Sequence, residues 1–323
     1  MYTELKDKLK DLNVLLIGET IIDQYVYVRA KGRATKDPIL STGFISEEKF
    51  LGGVLAPARH LANFVKNVTV ITLLGDINTE KEYIEEHLPG NINIDFFIKI
   101  NSPTIVKKRY IEPVHFQKLF KMEIINDQEI NEDLSDKIIK HIEEIKDSYD
   151  IILINDFGHG MFSAKLINYI CNLEKFIGLN VQTNSSNYGY NPVTKFKKAN
   201  FLSMNETELQ LPFHSKKDTF YDFLCELKKK NDFGDLLLTL GKQGCIFYRD
   251  KFYASKARIN KPIDTIGAGD AVFCFSALLS FLGFEGKFIA DFANVIGAIA
   301  VENIGNKESI KPLDIAKFCE LRK

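Results

Sequence analysis

Short runs of Val, Ile and Leu recur along the chain without polar alternation: Val14–Ile17, Val68–Leu74, Ile151–Ile154, Ile177–Val181 and Leu236–Leu240. Strands buried on both faces have this composition, because neither side of the pleat meets water. Between these runs the apolar positions fall at helical spacing, in Pro57–Phe64, Thr79–His87, Asp133–Lys146, Ala164–Leu173 and Thr219–Lys230. Strands alternating with helices predict βαβ units and an α/β fold whose mostly parallel central sheet is covered by helices on both faces. Two regions break the rhythm. Residues 24–50 and 94–122 alternate apolar with polar, through Val26-Tyr27-Val28, Phe96-Phe97-Ile98 and Lys118-Leu119-Phe120. They predict the strands of a small β lid projecting from the main body. No repeat, low-complexity tract or Pro/Ser linker divides the chain, so residues 1–323 read as a single domain.

Composition excludes several classes. With 45% hydrophobic and 26% charged residues the chain has the balance of a soluble globular protein. Lys and Arg total 42 against 43 for Asp and Glu, which leaves no bulk charge to hold nucleic acid or an anionic membrane. The longest apolar stretch, Ala271–Phe284, is interrupted by Ser276, Ser280 and Gly283. It falls short of the roughly 20 residues that span a bilayer, and reads as a buried helix. The start, MYTELKDKLKDLN, is charged and helical in pattern, without a signal core. Five scattered cysteines form no Cys-x-x-Cys pair and read as reduced thiols. A cytoplasmic protein is expected.

The candidate chemistry lies in Asp264-Thr265-Ile266-Gly267-Ala268-Gly269-Asp270, directly before an apolar helical run. Two glycines in three residues allow a tight turn whose N–H groups converge on an anion, and the following helix adds its positive end. An anion hole is a poor place for the Asp270 carboxylate, unless it takes a proton from a hydroxyl that attacks a phosphoryl group held in the hole. The alternative is a glycine turn with Asp270 as the helix N-cap. Other signals fail for lack of context. Asp-Phe-Gly occurs at 156–158 and 232–234 without the remaining motifs of protein kinases. Ser163 and Ser203 lack a nucleophile elbow, and the six histidines lack metal spacing.

The full string resembles the C-terminal signature of the PfkB/ribokinase family of sugar and nucleoside kinases, and the likeness continues along the chain in order. VLLIGETIIDQYVY resembles the family's first strand and LGGVLAPARHLANF its Gly-Gly segment. ILINDFGHGMFS is similar to the Asp-Tyr-Gly-Lys-Gly turn, and LSMNETELQL carries an Asn-x-x-Glu. LLLTLGKQGC resembles the nucleotide-side Thr-x-Gly-x-x-Gly, and ANVIGAIAVENIG the last helix beside adenine. The N-terminal half is most similar to the heptose-phosphate kinase domain of ADP-heptose synthesis and to kinase-like domains joined to cytidylyltransferases.

This resemblance implies a ribokinase-like fold and transfer of the γ-phosphoryl of ATP to a hydroxyl of a sugar or sugar phosphate. Asp270 would be the catalytic base, with Gly267, Ala268 and Gly269 as the anion hole. Asn205 and Glu208 would order Mg2+ and phosphates, Glu208 through water, although the same pair has the spacing of a helix capping box. Thr239, Gly241 and Gly244 would line the nucleotide and Asn294 adenine, while Asp23, Gly52 and Gly53 would face the sugar. The family also implies a monovalent cation, K+, near the Asp264–Gly269 loop, and a homodimer paired through the lid. A nucleotidyltransferase is the functional partner the resemblance suggests. Lys107, Lys108 and Arg109 either bind a substrate phosphate or form a solvated strand face. The sequence departs from the pattern at three places: Ala56 stands where the family has a substrate-binding Asn, Gln182-Thr183-Asn184 replaces Asp-Pro-Lys, and His159 replaces a Lys. The first two replacements favour either a changed substrate or a rival reading, a kinase-fold binding domain without phosphoryl transfer. A nucleoside or small-alcohol kinase would use the same core motif.

Overall fold

The computed structural model describes residues 2–213, 219–258 and 262–320. In the first half the strands are β1 (Asn13–Gly18), β2 (Thr20–Arg33), β3 (Leu40–Gly53), β4 (Asn67–Ile77), β5 (Ile92–Pro103), β6 (Ile105–Glu112) and β7 (Gln117–Ile124). There follow β8 (Ile151–Asp156), β9 (Phe176–Val181), β10 (Lys198–Asn205), β11 (Asp232–Thr239), β12 (Cys245–Tyr248) and β13 (Phe252–Ser255). The helices are α1 (Tyr2–Leu9), α2 (Leu55–Leu61), α3 (Lys81–His87), α4 (Glu132–Ile145) and α5 (Ala164–Cys171). The second half adds α6 (Glu206–Gln210), α7 (Phe220–Lys230), α8 (Ala268–Phe281), α9 (Gly286–Ala300) and α10 (Pro312–Glu320).

Nine strands form the main sheet in the order β13-β12-β11-β10-β9-β8-β1-β4-β5. All neighbours from β11 to β5 are parallel, and β12 and β13 close one edge antiparallel. The pleat sends Val14 and Leu16 into one core with α2, α8 and α9, while Leu15 and Ile17 enter a second core with α4, α5 and α7. Because α8 lies between the sheet and α9, its residues from Asp270 to Ser280 are all buried, which accounts for its apolar sequence on every side. Among the described residues no helix is long and apolar enough to cross a membrane.

The lid is a separate four-stranded sheet, ordered β3-β2-β6-β7. Only the roots of its long strands are buried; β2 runs from a buried start to an exposed end at residues 29–33. The lid differs from the sequence expectation in one strand. Phe96, Phe97 and Ile98 belong to β5, which pairs in parallel with β4 at the edge of the main sheet. Phe96 packs on one core and Phe97 on the other, so the segment has two partly covered apolar faces. Of the stretch 94–122, only the part forming β6 and β7 belongs to the lid.

Candidate active site

The C-terminal ends of β9, β10 and β11 and the root of the lid enclose a polar cleft of about 320 Å³. Parallel sheets bind ligands at this end, where loops and helix N-termini converge. Gly267 starts α8 with φ +78°, and a Cβ there would lie 1.9 Å from Asn306 Oδ1. The turn therefore requires glycine, and it delivers the open N–H groups of the first turn of α8 to the cleft. At Gly269 a Cβ would meet nothing within 4 Å.

Asp270 is the third residue of α8 and makes no capping bond; Gly267 occupies the cap position. Its Oδ1 instead accepts from Gln182 Nε2 at 2.5 Å and Asn155 Nδ2 at 3.2 Å. The N-cap alternative is thereby removed. Burial pushes the Asp270 pKa up to about 7; the Gln182 hydrogen bond opposes this and the nearby Asp23 and Glu208 carboxylates add to it. A carboxylate with that pKa is suited to accept a proton near neutral pH.

The expected residues divide between two cavities. Asp23, Gly53, Arg109, Asn205 and Glu208 line the polar cleft beside Asp270. Gly241, Gly244, Ala268 and Asn294 line a second cavity of about 270 Å³ with mostly apolar walls, including Val272 and Val301. Thr239, Thr265 and Gly269 border both. Ala268 thus opens onto the apolar side rather than the cleft. Gly52 lies outside the cleft lining and backs Asp23, since a Cβ there would lie 2.3 Å from Asp23 Oδ2. Asp23 itself is paired with Arg109 and accepts from Asn306 Nδ2 at 3.2 Å. Asn294 is buried and donates to Ser255 O at 3.0 Å.

Asn205 and Glu208 satisfy both readings given to them. They form a complete capping box on α6, with Glu208 N donating to Asn205 Oδ1 and Asn205 N to Glu208 Oε2. They also face the cleft. Burial raises the Glu208 pKa to about 7 against the backbone bonds from Asn205 and Thr183. Among the described residues no three His, Cys, Asp or Glu side chains cluster as a metal cage. Glu208 is one of three carboxylates on the cleft, with Asp23 and Asp270, and it is the one that would hold Mg2+, through water, if phosphates were bound beside it.

The departures from the family pattern also find places. Ala56 is buried in α2 and is not part of the cleft lining. Gln182 holds Asp270, Thr183 N donates to Glu208 Oε1 at 3.0 Å, and Asn184 Nδ2 donates to Phe157 O at 2.8 Å. This segment therefore orders the site through neutral amides. Lys107 and Arg109 face the cleft while Lys108 points to the opposite side of the lid, as the period of a strand requires. The solvated-face alternative thus fails for the first two. His159 is buried, with Nδ1 2.8 Å from Asp127 Oδ1 and its backbone N–H donating to Glu19 Oε1 at 3.0 Å. Burial lowers its pKa to about 4, so it is neutral.

Sequence reasoning missed Asn155, Lys121, Asn306 and Glu19. Lys121 and Asn306 line the cleft. Glu19 accepts from Phe157 N at 2.9 Å and His159 N at 3.0 Å, fixing the turn after β8. Only Lys121 carried a signal, through its two-residue spacing from Glu123 on a lid strand.

The sequence profile of the pfkB family carbohydrate kinases matches residues 11–312. The chain belongs to this family. It has the ribokinase-like fold of that family. The bifunctional protein HldE of Aliarcobacter butzleri is 26% identical over 303 residues, covering 92% of this chain and 62% of that protein. The HldE protein of Campylobacter fetus is also 26% identical, over 92% of this chain and 64% of its own. The chain thus spans less than two thirds of these curated relatives. Thermotoga maritima ribokinase superposes with a TM-score of 0.71 at 16% identity, covering 96% of this chain and 99% of its own. Escherichia coli phosphofructokinase-2, solved in complex with potassium, gives 0.74 at 14% identity over 98% and 100%.

The buried Asp270 of this pfkB-family chain carries a stability cost with a definite sign. Asp270 has a folded pKa of about 7 against an ordinary 3.8. Its contribution to stability is fully present below the unfolded pKa and is lost as pH rises through 7. Asn cannot titrate. Between pH 6 and pH 8 the stability of Asp270→Asn relative to wild type should therefore rise, by about 1 kcal/mol. Chemical denaturation at the two pH values measures it; a gap that stays constant contradicts the raised pKa.

Proposed function

We propose that the chain transfers the γ-phosphoryl group of ATP to a hydroxyl of a phosphorylated sugar, with Asp270 as general base. What supports this reading is the meeting of the apolar cavity and the polar cleft at Thr239, Thr265 and Gly269, beside Asp270. The nucleotide base and ribose take the apolar cavity, and the acceptor takes the cleft. The acceptor oxygen bonds to the γ-phosphorus, the bond from that phosphorus to the bridging oxygen of ADP breaks, and the hydroxyl proton passes to Asp270. Magnesium, when bound, offsets phosphate charge; Gln182 and Asn155 orient the base, and the first turn of α8 holds the transferred group.

Lys107, Arg109 and Lys121 supply the argument for an anionic acceptor: all three line the cleft, and among the described residues they share only two carboxylate partners, Asp23 and Glu123, which leaves them able to engage a substrate phosphate as well. A heptose phosphate is one candidate. Lys107→Met should raise the acceptor KM by roughly 10- to 100-fold, the usual worth of a charge-assisted hydrogen bond, and leave the ATP KM unchanged. The test is a panel of sugars, sugar phosphates and nucleosides assayed for ADP release. Equal turnover of neutral and phosphorylated sugars would overturn the anionic acceptor. No turnover at all, with nucleotide still bound tightly, would favour the binding-domain reading.

Two assembly proposals accompany this reading. Phe120 and Met122 are exposed on the face of β7 turned away from the cleft, which supports pairing of two lids across a twofold axis. The HldE relatives are bifunctional and longer than this chain, which supports a nucleotidyltransferase acting on the product.

A further inference from the structure

The anion-hole loop opens at Asp264, whose side chain is wholly buried. Four donors converge on it. Oδ1 accepts from Lys118 Nζ at 2.6 Å and Ile266 N at 3.3 Å, and Oδ2 from the Tyr25 hydroxyl at 2.6 Å and Gly305 N at 3.0 Å. Two of the four, Tyr25 on β2 and Lys118 on β7, belong to the lid. A monovalent cation at this loop would draw on Asp264, which supplies the only anionic oxygens between residues 264 and 269. The residues present do not fit such an ion. Both carboxylate oxygens are engaged, and an ammonium at contact distance already balances the charge.

The lid strand is shaped to bring that ammonium in. Arg109 pairs with Lys121 and Tyr110 with Phe120, but Ile111 pairs with Lys118, so Leu119 is an extra residue. Regular alternation from Lys121 would turn Leu119 toward the site and Lys118 away from it. The bulge reverses this, and Lys118 joins the face that holds Tyr25 and Arg109. Its ammonium also lies 5.9 Å from the Tyr25 ring centroid and 5.8 Å from that of Phe116.

We propose that Lys118 is the resident cation of the anion-hole loop, a positioning residue delivered by the lid where a potassium ion would otherwise balance Asp264. Loop order then depends on the placement of the lid and not on the monovalent salt. This rests on the phosphoryl-holding role given to the loop above, but two of its readouts need no turnover. Thermal melting and the Kd for a non-hydrolysable ATP analogue are measured at equal ionic strength in potassium chloride and in tetramethylammonium chloride. Wild type should give the same values in both salts. Lys118→Met should lose at least about tenfold in nucleotide affinity in tetramethylammonium, and potassium should restore much of it. Lys118→Arg, which keeps the charge, should stay close to wild type and indifferent to the salt. Dependence of wild-type nucleotide binding on potassium would overturn the proposal. So would a Lys118→Met protein that matches wild type in tetramethylammonium, or one whose loss potassium does not repair. If no sugar is ever turned over, the catalytic reading fails while these binding and melting results still decide the role of Lys118.

Discussion

Asp270→Asn is expected to lower kcat by at least about 100-fold, the lower end of what general-base help supplies. The substitution preserves shape and the carbonyl oxygen that can still accept from Gln182 and Asn155. What it removes is the second acceptor oxygen: an amide group there donates hydrogen bonds and cannot take a proton. ATP affinity should stay within a few-fold of wild type, because the first turn of α8 and the apolar cavity are untouched. It should shift toward tighter binding if it shifts at all, since a buried carboxylate no longer repels the γ-phosphate. The pH profile gives an independent check. With its pKa near 7, Asp270 should impose a limb on wild-type kcat/KM that falls as pH drops through about 7, and the variant should lack it. Steady-state kinetics with the acceptor found by the panel, together with calorimetric titration of ATP, measure both effects. Wild-type turnover in the variant would refute the base assignment outright.

The helices and strands that were legible in the sequence share a physical cause. β1, β4, β8, β9 and β11 lie inside the sheet, buried on both faces, and so appear as unbroken Val, Ile and Leu runs. β10 was not legible, because Lys198, Asn200, Ser203 and Asn205 interrupt its apolar residues. β5 was misplaced into the lid because an edge strand with two half-covered faces has no pattern that distinguishes it from a lid strand. The site shows the same division. The glycines and Asp270 are contiguous and could be read as a unit. Asn155 and Gln182, which hold that Asp, stand 115 and 88 residues away, and only the order of strands in the sheet brings them together. Lys118 needed more still, since its direction depends on one extra residue in β7 that alternation cannot reveal.

The two glycines of the loop should respond to substitution in different ways, and the larger effect on catalysis belongs to Gly269→Val. Gly269 has open space around its Cβ direction and a backbone outside the left-handed region. Valine can therefore be built there without strain, and replacing glycine in a helix lowers the entropy of the unfolded chain. The melting temperature should hold or rise slightly. Yet the new side chain would project where the two cavities meet, displacing the group that the first turn of α8 is placed to hold. Loss of that kind of electrostatic cradle commonly costs about 100-fold or more in rate, and kcat/KM for both substrates should fall by at least this factor. Gly267→Val meets a different obstacle. With φ at +78° and its Cβ 1.9 Å from Asn306 Oδ1, it forces both the turn and Asn306 to move. The left-handed conformation alone costs about 1–2 kcal/mol for a residue with a Cβ, so this variant should melt lower as well as work poorly. Asn306 also bonds Asp23, so the damage should extend to acceptor binding. Melting curves and kinetics on the two variants together separate occupancy of the junction from integrity of the turn. A Gly269→Val protein that binds ATP and turns over normally would mean that the transferred group does not pass through this junction.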